Sequence, residues 1–139
     1  MGTTIVLADD EPDLRAVYAE VLRREGYEVL EATDGREALA LVNERQPDLL
    51  LLDVWMPHMN GFEVLDRLRN DAHATTLKVV MLSNLSDADT RLEGFSAGVR
   101  DYWVKGITLD DLRDRVRRTL AAETVGIDRQ GDPVRCALP

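Results

Sequence analysis

Five residues of this chain carry groups suited to one another's chemistry: Asp9, Asp10, Asp53, Ser83 and Lys105. Carboxylates brought together repel, at roughly 4 kcal/mol for a pair about 4 Å apart at an effective dielectric near 20. A cluster of three therefore demands a cation or raised pKa values. An all-oxygen set suits Mg2+, a hard ion that keeps several waters and takes one or two carboxylates together with phosphate oxygens. A lysine adds one positive charge on a long stem that can reach a phosphoryl oxygen. A carboxylate can itself act as the nucleophile and become an aspartyl phosphate, in a reaction that asks mainly for positioning and charge neutralisation. The set predicts that Asp53 takes a phosphoryl group, with Mg2+, Lys105 and the Ser83 hydroxyl neutralising it.

That chemistry requires the five residues to meet, and the pattern of the chain says how. The stretch DLLLLDVWMPHMNG (48–61) runs four leucines into Asp53. A short apolar run bounded by turn signals suits a strand covered on both faces, as in parallel sheets between helices. Similar runs predict strands at 3–8, 27–32, 77–82 and 99–104. Helical patterns lie between them. In 12–25, Leu14, Val17, Tyr18, Val21 and Leu22 form one stripe of a 3.6-residue period, with Pro12 in the first turn and Asp10 or Glu11 as cap. Leu109, Leu112, Val116 and Leu120 form another over 109–120, and weaker patterns occupy 35–45, 61–70 and 87–97. Gly26 and Gly98 stand where helices must stop. Five strands alternating with five helices predict repeated βαβ units and a parallel sheet with helices on both faces. All five reactive residues then fall at carboxyl ends of strands, the edge where open α/β sheets bind ligands.

With 139 residues, 45% of them hydrophobic, the chain supports one domain with one proper core. That domain is expected over 1–122. Beyond it, ETVGIDRQGDPVRCALP loses periodicity and predicts a flexible tail over 123–139, with no output domain. The net charge of −9 argues against direct nucleic-acid binding, since phosphates would be repelled. The single cysteine, Cys136, excludes an intrachain disulfide and a cysteine metal cluster. The N-terminus lacks a basic region, and no segment approaches the roughly 20 apolar residues of a membrane helix, so a cytoplasmic location is expected.

Taken in order, LADDEPDLR, DVWMPHMNGFEVL (as D-x-x-M-P-x-M-x-G), VVMLSN and DYWVK resemble the response-regulator receiver domain of two-component signalling, the CheY-like superfamily, over residues 4 to 121. The resemblance implies a flavodoxin-like (βα)5 fold, doubly wound, with strand order 2-1-3-4-5. It implies a phosphoacceptor that assists its own phosphotransfer and dephosphorylation, not an enzyme acting on other substrates. Asp53 would receive its phosphoryl group from a histidine kinase or phosphotransfer protein. Mg2+ would be held by Asp10, Asp53 and the Trp55 backbone carbonyl, and by Asp9 partly through water. Ser83 would then move toward the phosphoryl group and Tyr102 rotate inward. This reshapes the face made by the helix at 87–97, the fifth strand and the helix at 109–120, which would control a downstream protein. That face carries Arg91, Glu93, Arg100, Asp101, Asp111 and Arg115, so both a monomer and a phosphorylation-dependent homodimer fit it.

Two departures stand out. Gly106 follows Lys105 where the family usually has proline, often across a cis bond; without proline, cis costs about 2.5 to 4 kcal/mol, so a trans bond and a looser loop are expected. Trp55 stands two residues past Asp53, and its bulk is expected to shield the acyl phosphate from water. Rival readings fit less well. A dehalogenase-like phosphatase wants a second acid at position 55, and a nucleotide-binding domain wants a Gly-rich loop after the first strand. A receiver-like interaction module that never takes phosphate remains the alternative. His58 and His73 are expected in solvated loops, Trp103 in the packing of the fifth strand, and RDRVRR (113–118) on a solvated helix surface.

Overall fold

The computed structural model describes residues 2–70, 77–84, 99–122, 125–127 and 133–135. The four consecutive leucines find their explanation at its centre. Strand β3 (Leu49–Asp53) lies between β1 (Thr4–Ala8) and β4 (Lys78–Ser83) in a parallel sheet ordered β2-β1-β3-β4-β5, where β2 is Glu28–Ala32 and β5 is Asp101–Val104. Because side chains alternate across a strand, Leu50 and Leu52 enter one apolar layer and Leu49 and Leu51 the other. All four are fully buried.

Helices cover both faces. In the first layer α2 (Gly35–Arg45) and α3 (Gly61–Arg69) supply Ala38, Val42, Val64, Leu65 and Leu68. In the second, α1 (Pro12–Arg24) and α4 (Leu109–Ala121) supply Tyr18, Ala19, Leu22, Leu112 and Val116. Local sequence sets their starts. Asp34 accepts the Glu37 amide, Thr108 accepts the Asp111 amide, and Asn60 and Glu63 form a reciprocal capping box, each satisfying amides that a helix start leaves unpaired.

Two members of the predicted stripes sit outside the core. Val17 is 44% exposed and Leu109 39% exposed, because Tyr18 and Leu112 take the inward positions beside them. The helical pattern at 87–97, with Arg91, Glu93 and Gly98, lies outside the described residues, as do His73 and Cys136. Within the expected tail, Val125–Ile127 (β6) pairs antiparallel with Pro133–Arg135 (β7). Gly126 and Pro133 thus belong to a short ladder. Among the described residues, no helix is long and apolar enough to cross a membrane.

Candidate functional site

The carboxyl edge of the sheet gathers the five residues singled out by type. Asp9 follows β1, Asp53 ends β3, Ser83 ends β4 and Lys105 follows β5. Asp9 and Ser83 are fully buried and Asp53 is 4% exposed, whereas Asp10 faces solvent. The ladder sets their heights: Asp53 is in register with Leu82, one residue before Ser83, and the Lys105 amide donates to the Ser83 carbonyl at 2.7 Å.

The loop after β3 shows why its motif is built as it is. A Cβ on Gly61 would stand 2.6 Å from the Asp53 carbonyl oxygen and 2.8 Å from Met81 Cε, closer than carbon and oxygen tolerate. Glycine there lets the first turn of α3 press against the backbone of Asp53, and the Gly61 amide donates to the Val54 carbonyl at 2.8 Å. Met56 and Met59 are buried in the first apolar layer and pin the loop between them.

Lys105 reaches into the centre. Its Nζ lies 2.9 Å from Asp9 Oδ2 and 3.2 Å from Asp53 Oδ2, with the lysine side chain only 4% exposed. The trans bond expected between Lys105 and Gly106 is present; no cis peptide occurs among the described residues. Gly106 does not misplace the lysine. Burial pulls the Lys105 pKa down, but its contacts with Asp9 and Asp53 outweigh this and hold the ammonium above the usual lysine value. Asp53 is pushed up to about 7, first by burial and then by the charge of Asp9, with Lys105 opposing and a hydrogen bond with Asp10 adding to the rise.

One ammonium does not satisfy this many acids. Asp9 Oδ2 is buried and, although Lys105 neutralises it across 2.9 Å, no donor is aligned to hydrogen-bond it. Single carboxylate oxygens of Asp9, Asp10 and Asp53 lie within 4.8 Å of one another. A buried unsatisfied oxygen, a carboxyl resisting ionisation and a third acid open to water together fit a hard divalent cation that retains part of its hydration.

Glu11 is the site residue that reading by type missed. Expected only as a helix cap, it occupies the N-cap position of α1 without a side-chain capping bond. Its Oε1 instead lies 3.2 Å from Lys105 Nζ and accepts from Asn84 Nδ2 at 3.4 Å, and the Lys105 hydrogen bond and charge lower its pKa. Asp9 does not cap α1 either; its Oδ1 accepts the Glu11 amide at 2.8 Å. Arg15, also unremarked in the sequence, donates to the Asp9 carbonyl at 2.8 Å and pairs with Glu31. Only the run Asp-Asp-Glu hinted at Glu11, and nothing in local spacing told that it meets a lysine 94 residues away.

The remaining residues fall as follows. The Trp55 amide donates to Asp53 Oδ1 at 3.3 Å, while the residue as a whole is 55% exposed. His58 is exposed, with φ of 67°. Tyr102 is already inward, 4% exposed in the first layer, so the outward position from which it was expected to rotate is not the one found. Trp103 packs the opposite layer as expected, donating Nε1 to Asp101 at 2.8 Å beneath the Arg115 guanidinium.

A doubly wound parallel sheet with an acidic, lysine-bridged pocket at its carboxyl edge defines a flavodoxin-like domain. Comparison with known proteins gives the class its name: the family profile "Response regulator receiver domain" matches residues 5–117, and the chain belongs to that family. It is 35% identical over 116 residues to the DNA-binding dual master transcriptional regulator RpaA of Synechocystis, a match covering 84% of this chain and 48% of the relative. It is 31% identical over 120 residues to sporulation initiation phosphotransferase F of Bacillus subtilis, covering 86% of this chain and 95% of the relative. A putative response regulator from Chloroflexus aurantiacus superposes with a TM-score of 0.82 at 34% identity, covering 88% of this chain and all of the other. The chain spans about half the length of the transcriptional regulators it matches.

Proposed function

We propose that this receiver accepts a phosphoryl group on Asp53 and passes the signal on by protein contact. The observation that carries the reading is Lys105 Nζ held between Asp9 and Asp53 at the carboxyl edge, 2.9 and 3.2 Å away. A histidine kinase or phosphotransfer protein, the partner class of response regulators, supplies the group. An Asp53 oxygen forms the new P–O bond as the bond to the donor breaks and the donor's leaving atom keeps its electron pair. For this Asp53 must be ionised, and Lys105 favours that form. Asp10, Asp53 and the Trp55 carbonyl, with Asp9 partly through water, would hold Mg2+, which supplies neutralisation of the phosphoryl oxygens. Lys105 then turns its ammonium to one phosphoryl oxygen and the Ser83 hydroxyl donates to another.

Phosphorylation adds roughly −1.5 to −2 charges and new acceptor oxygens, which Ser83 and Lys105 follow. We assign the output to the face built on β5 and α4, with Tyr102 as the side chain joining it to the site. To take that face from 1:99 to 99:1, the phosphoryl group must favour the active form by about 5.5 kcal/mol. Residues 1–122 would form the working unit, in a monomer or a phosphorylation-dependent dimer, acting on a downstream protein. The net charge of −9 favours contact with protein over direct contact with nucleic acid.

Intact-mass analysis after incubation with acetyl phosphate tests the reading. A Mg2+-dependent gain of one phosphoryl group, absent in Asp53→Asn, is expected. No gain under any condition would overturn it and leave a phosphorylation-independent interaction module.

A further inference from the structure

Tyr18 holds a buried group that the proposed reaction does not use. It sits midway along α1, 2% exposed, in the layer formed with Trp103, Leu112 and Ile107. A phenylalanine would fill that space equally well. The hydroxyl is buried and has no hydrogen-bond partner, an arrangement that is unfavourable unless another state supplies one.

The surroundings identify the missing donor. Burial, the largest influence, pushes the Tyr18 phenol above its usual pKa, while the neighbouring Gly106 backbone amide and the Lys105 charge pull it back, and Asp9 and Glu11 add to the rise. Ile107, the residue after Gly106, packs in the same layer as Tyr18, which brings the loop that carries Lys105 to that layer. Gly106 itself has φ of +96°, with open space where a Cβ would be, so backbone conformation and not crowding calls for glycine. A proline there could adopt neither that φ nor offer an N–H. The loop has gained an amide and lost the ring that would have stiffened it.

Its other anchors lie on one side of that amide. Lys105 is bonded through its backbone to Ser83 and through Nζ to Asp9, Glu11 and Asp53. Gly106 is the first residue beyond this anchored point. To follow a phosphoryl group Lys105 must redistribute its contacts, and a glycine hinge alone would not define where it stops. Helix α1 provides a fixed reference, because its Tyr18 ring is locked by packing.

We propose that Tyr18 is a positioning residue for Lys105: as the loop after β5 settles around phosphorylated Asp53, the Gly106 N–H donates to the Tyr18 hydroxyl and fixes where Lys105 Nζ stands. The inference rests on Asp53 being the phosphoacceptor. It assigns to a tyrosine in α1 and an amide after Lys105 the restraint that a proline gives elsewhere in the family.

The test uses the full chain, labelled with 15N, with Mg2+ and beryllofluoride as the phosphoryl mimic. Hydrogen exchange at the Gly106 amide is read with and without the mimic, and mimic affinity is measured for wild type, Tyr18→Phe, Gly106→Pro and the double variant. In wild type, Gly106 exchange is expected to slow by about tenfold on binding, as one amide becomes protected. Tyr18→Phe should abolish that protection and weaken mimic binding by roughly fivefold, the effect of one neutral hydrogen bond. On the Gly106→Pro background, Tyr18→Phe should have no further effect. Unchanged Gly106 protection in Tyr18→Phe overturns the proposal, as does equal weakening on both backgrounds; should Gly106→Pro fail to fold, the Gly106 exchange decides alone. A wild type that neither binds the mimic nor gains a phosphoryl group overturns the phosphoacceptor reading and the positioning role with it. A wild type that does both beside an indistinguishable Tyr18→Phe overturns only the positioning role.

Discussion

The two ends of the sheet treat charge in opposite ways. At the amino end, Asp48 Oδ2 accepts the Thr4 amide at 2.9 Å, and Lys78 Nζ donates to the carbonyls of Thr119, Leu120 and Ala122 at 3.1, 3.0 and 2.8 Å. Lys78 thereby closes the last turn of α4, where a cation meets the negative end of the helix dipole. At the carboxyl end, Asp9 Oδ2 and the Tyr18 hydroxyl are buried without aligned partners, and Asp53 is raised to about 7 by burial and by Asp9. Satisfied polar groups hold elements together. Unsatisfied ones cost stability that the surrounding core must offset.

The difference is broken most severely by removing the ammonium that bridges Asp9 and Asp53. Lys105→Met leaves Asp9 and Asp53 buried without their ammonium, and we expect a loss of roughly 3 kcal/mol in urea unfolding at pH 8 without metal. Added Mg2+ should recover part of that loss and the recovery should be visible in the same titration. At the amino end, Lys78→Met removes three charge-assisted bonds to one helix terminus and should cost about 1 to 2 kcal/mol. Phosphoryl uptake in that variant should match wild type by intact mass, because Lys78 lies at the opposite end of β4 from Ser83. The smallest effect on folding belongs to Trp55→Ala. Because Trp55 is 55% exposed, the variant should keep the wild-type melting temperature while its acyl phosphate, followed by mass over time, decays severalfold faster.

The same contrast separates what the sequence announces from what it conceals. Strand β3 is legible because four leucines between turn signals admit few other placements, and Asp53, Ser83 and Lys105 follow from the rule that parallel strands deliver their ends to one edge. Val17 misled because a helical stripe wide enough for five residues leaves its margin exposed. Glu11, Lys78 and Tyr18 were not legible as partners. Glu11 meets Lys105 across the sheet, Lys78 caps a helix more than 40 residues later, and the Tyr18 hydroxyl is notable only for what it lacks. Such contacts depend on side-chain direction after the fold has formed. The β6–β7 ladder escaped for a related reason: strands of three residues are too short to show a period of two.

The account's central claim is that burial and Asp9 make Asp53 costly to ionise at the carboxyl edge, a cost that Lys105 offsets in part. It is tested most directly by the stability of Asp53→Asn relative to wild type, measured by urea unfolding in metal-free buffer from pH 4 to pH 9. Between the ordinary value of 3.8 and the folded value near 7, native wild type binds more protons at Asp53 than the unfolded chain does. The contribution of Asp53 to stability therefore falls across that window as pH rises, and its penalty is complete above about 7. We predict that Asp53→Asn is close to wild type near pH 4 and gains on the order of 2 kcal/mol by pH 8. A difference that stays flat with pH, or a variant that loses stability as pH rises, would contradict the claim.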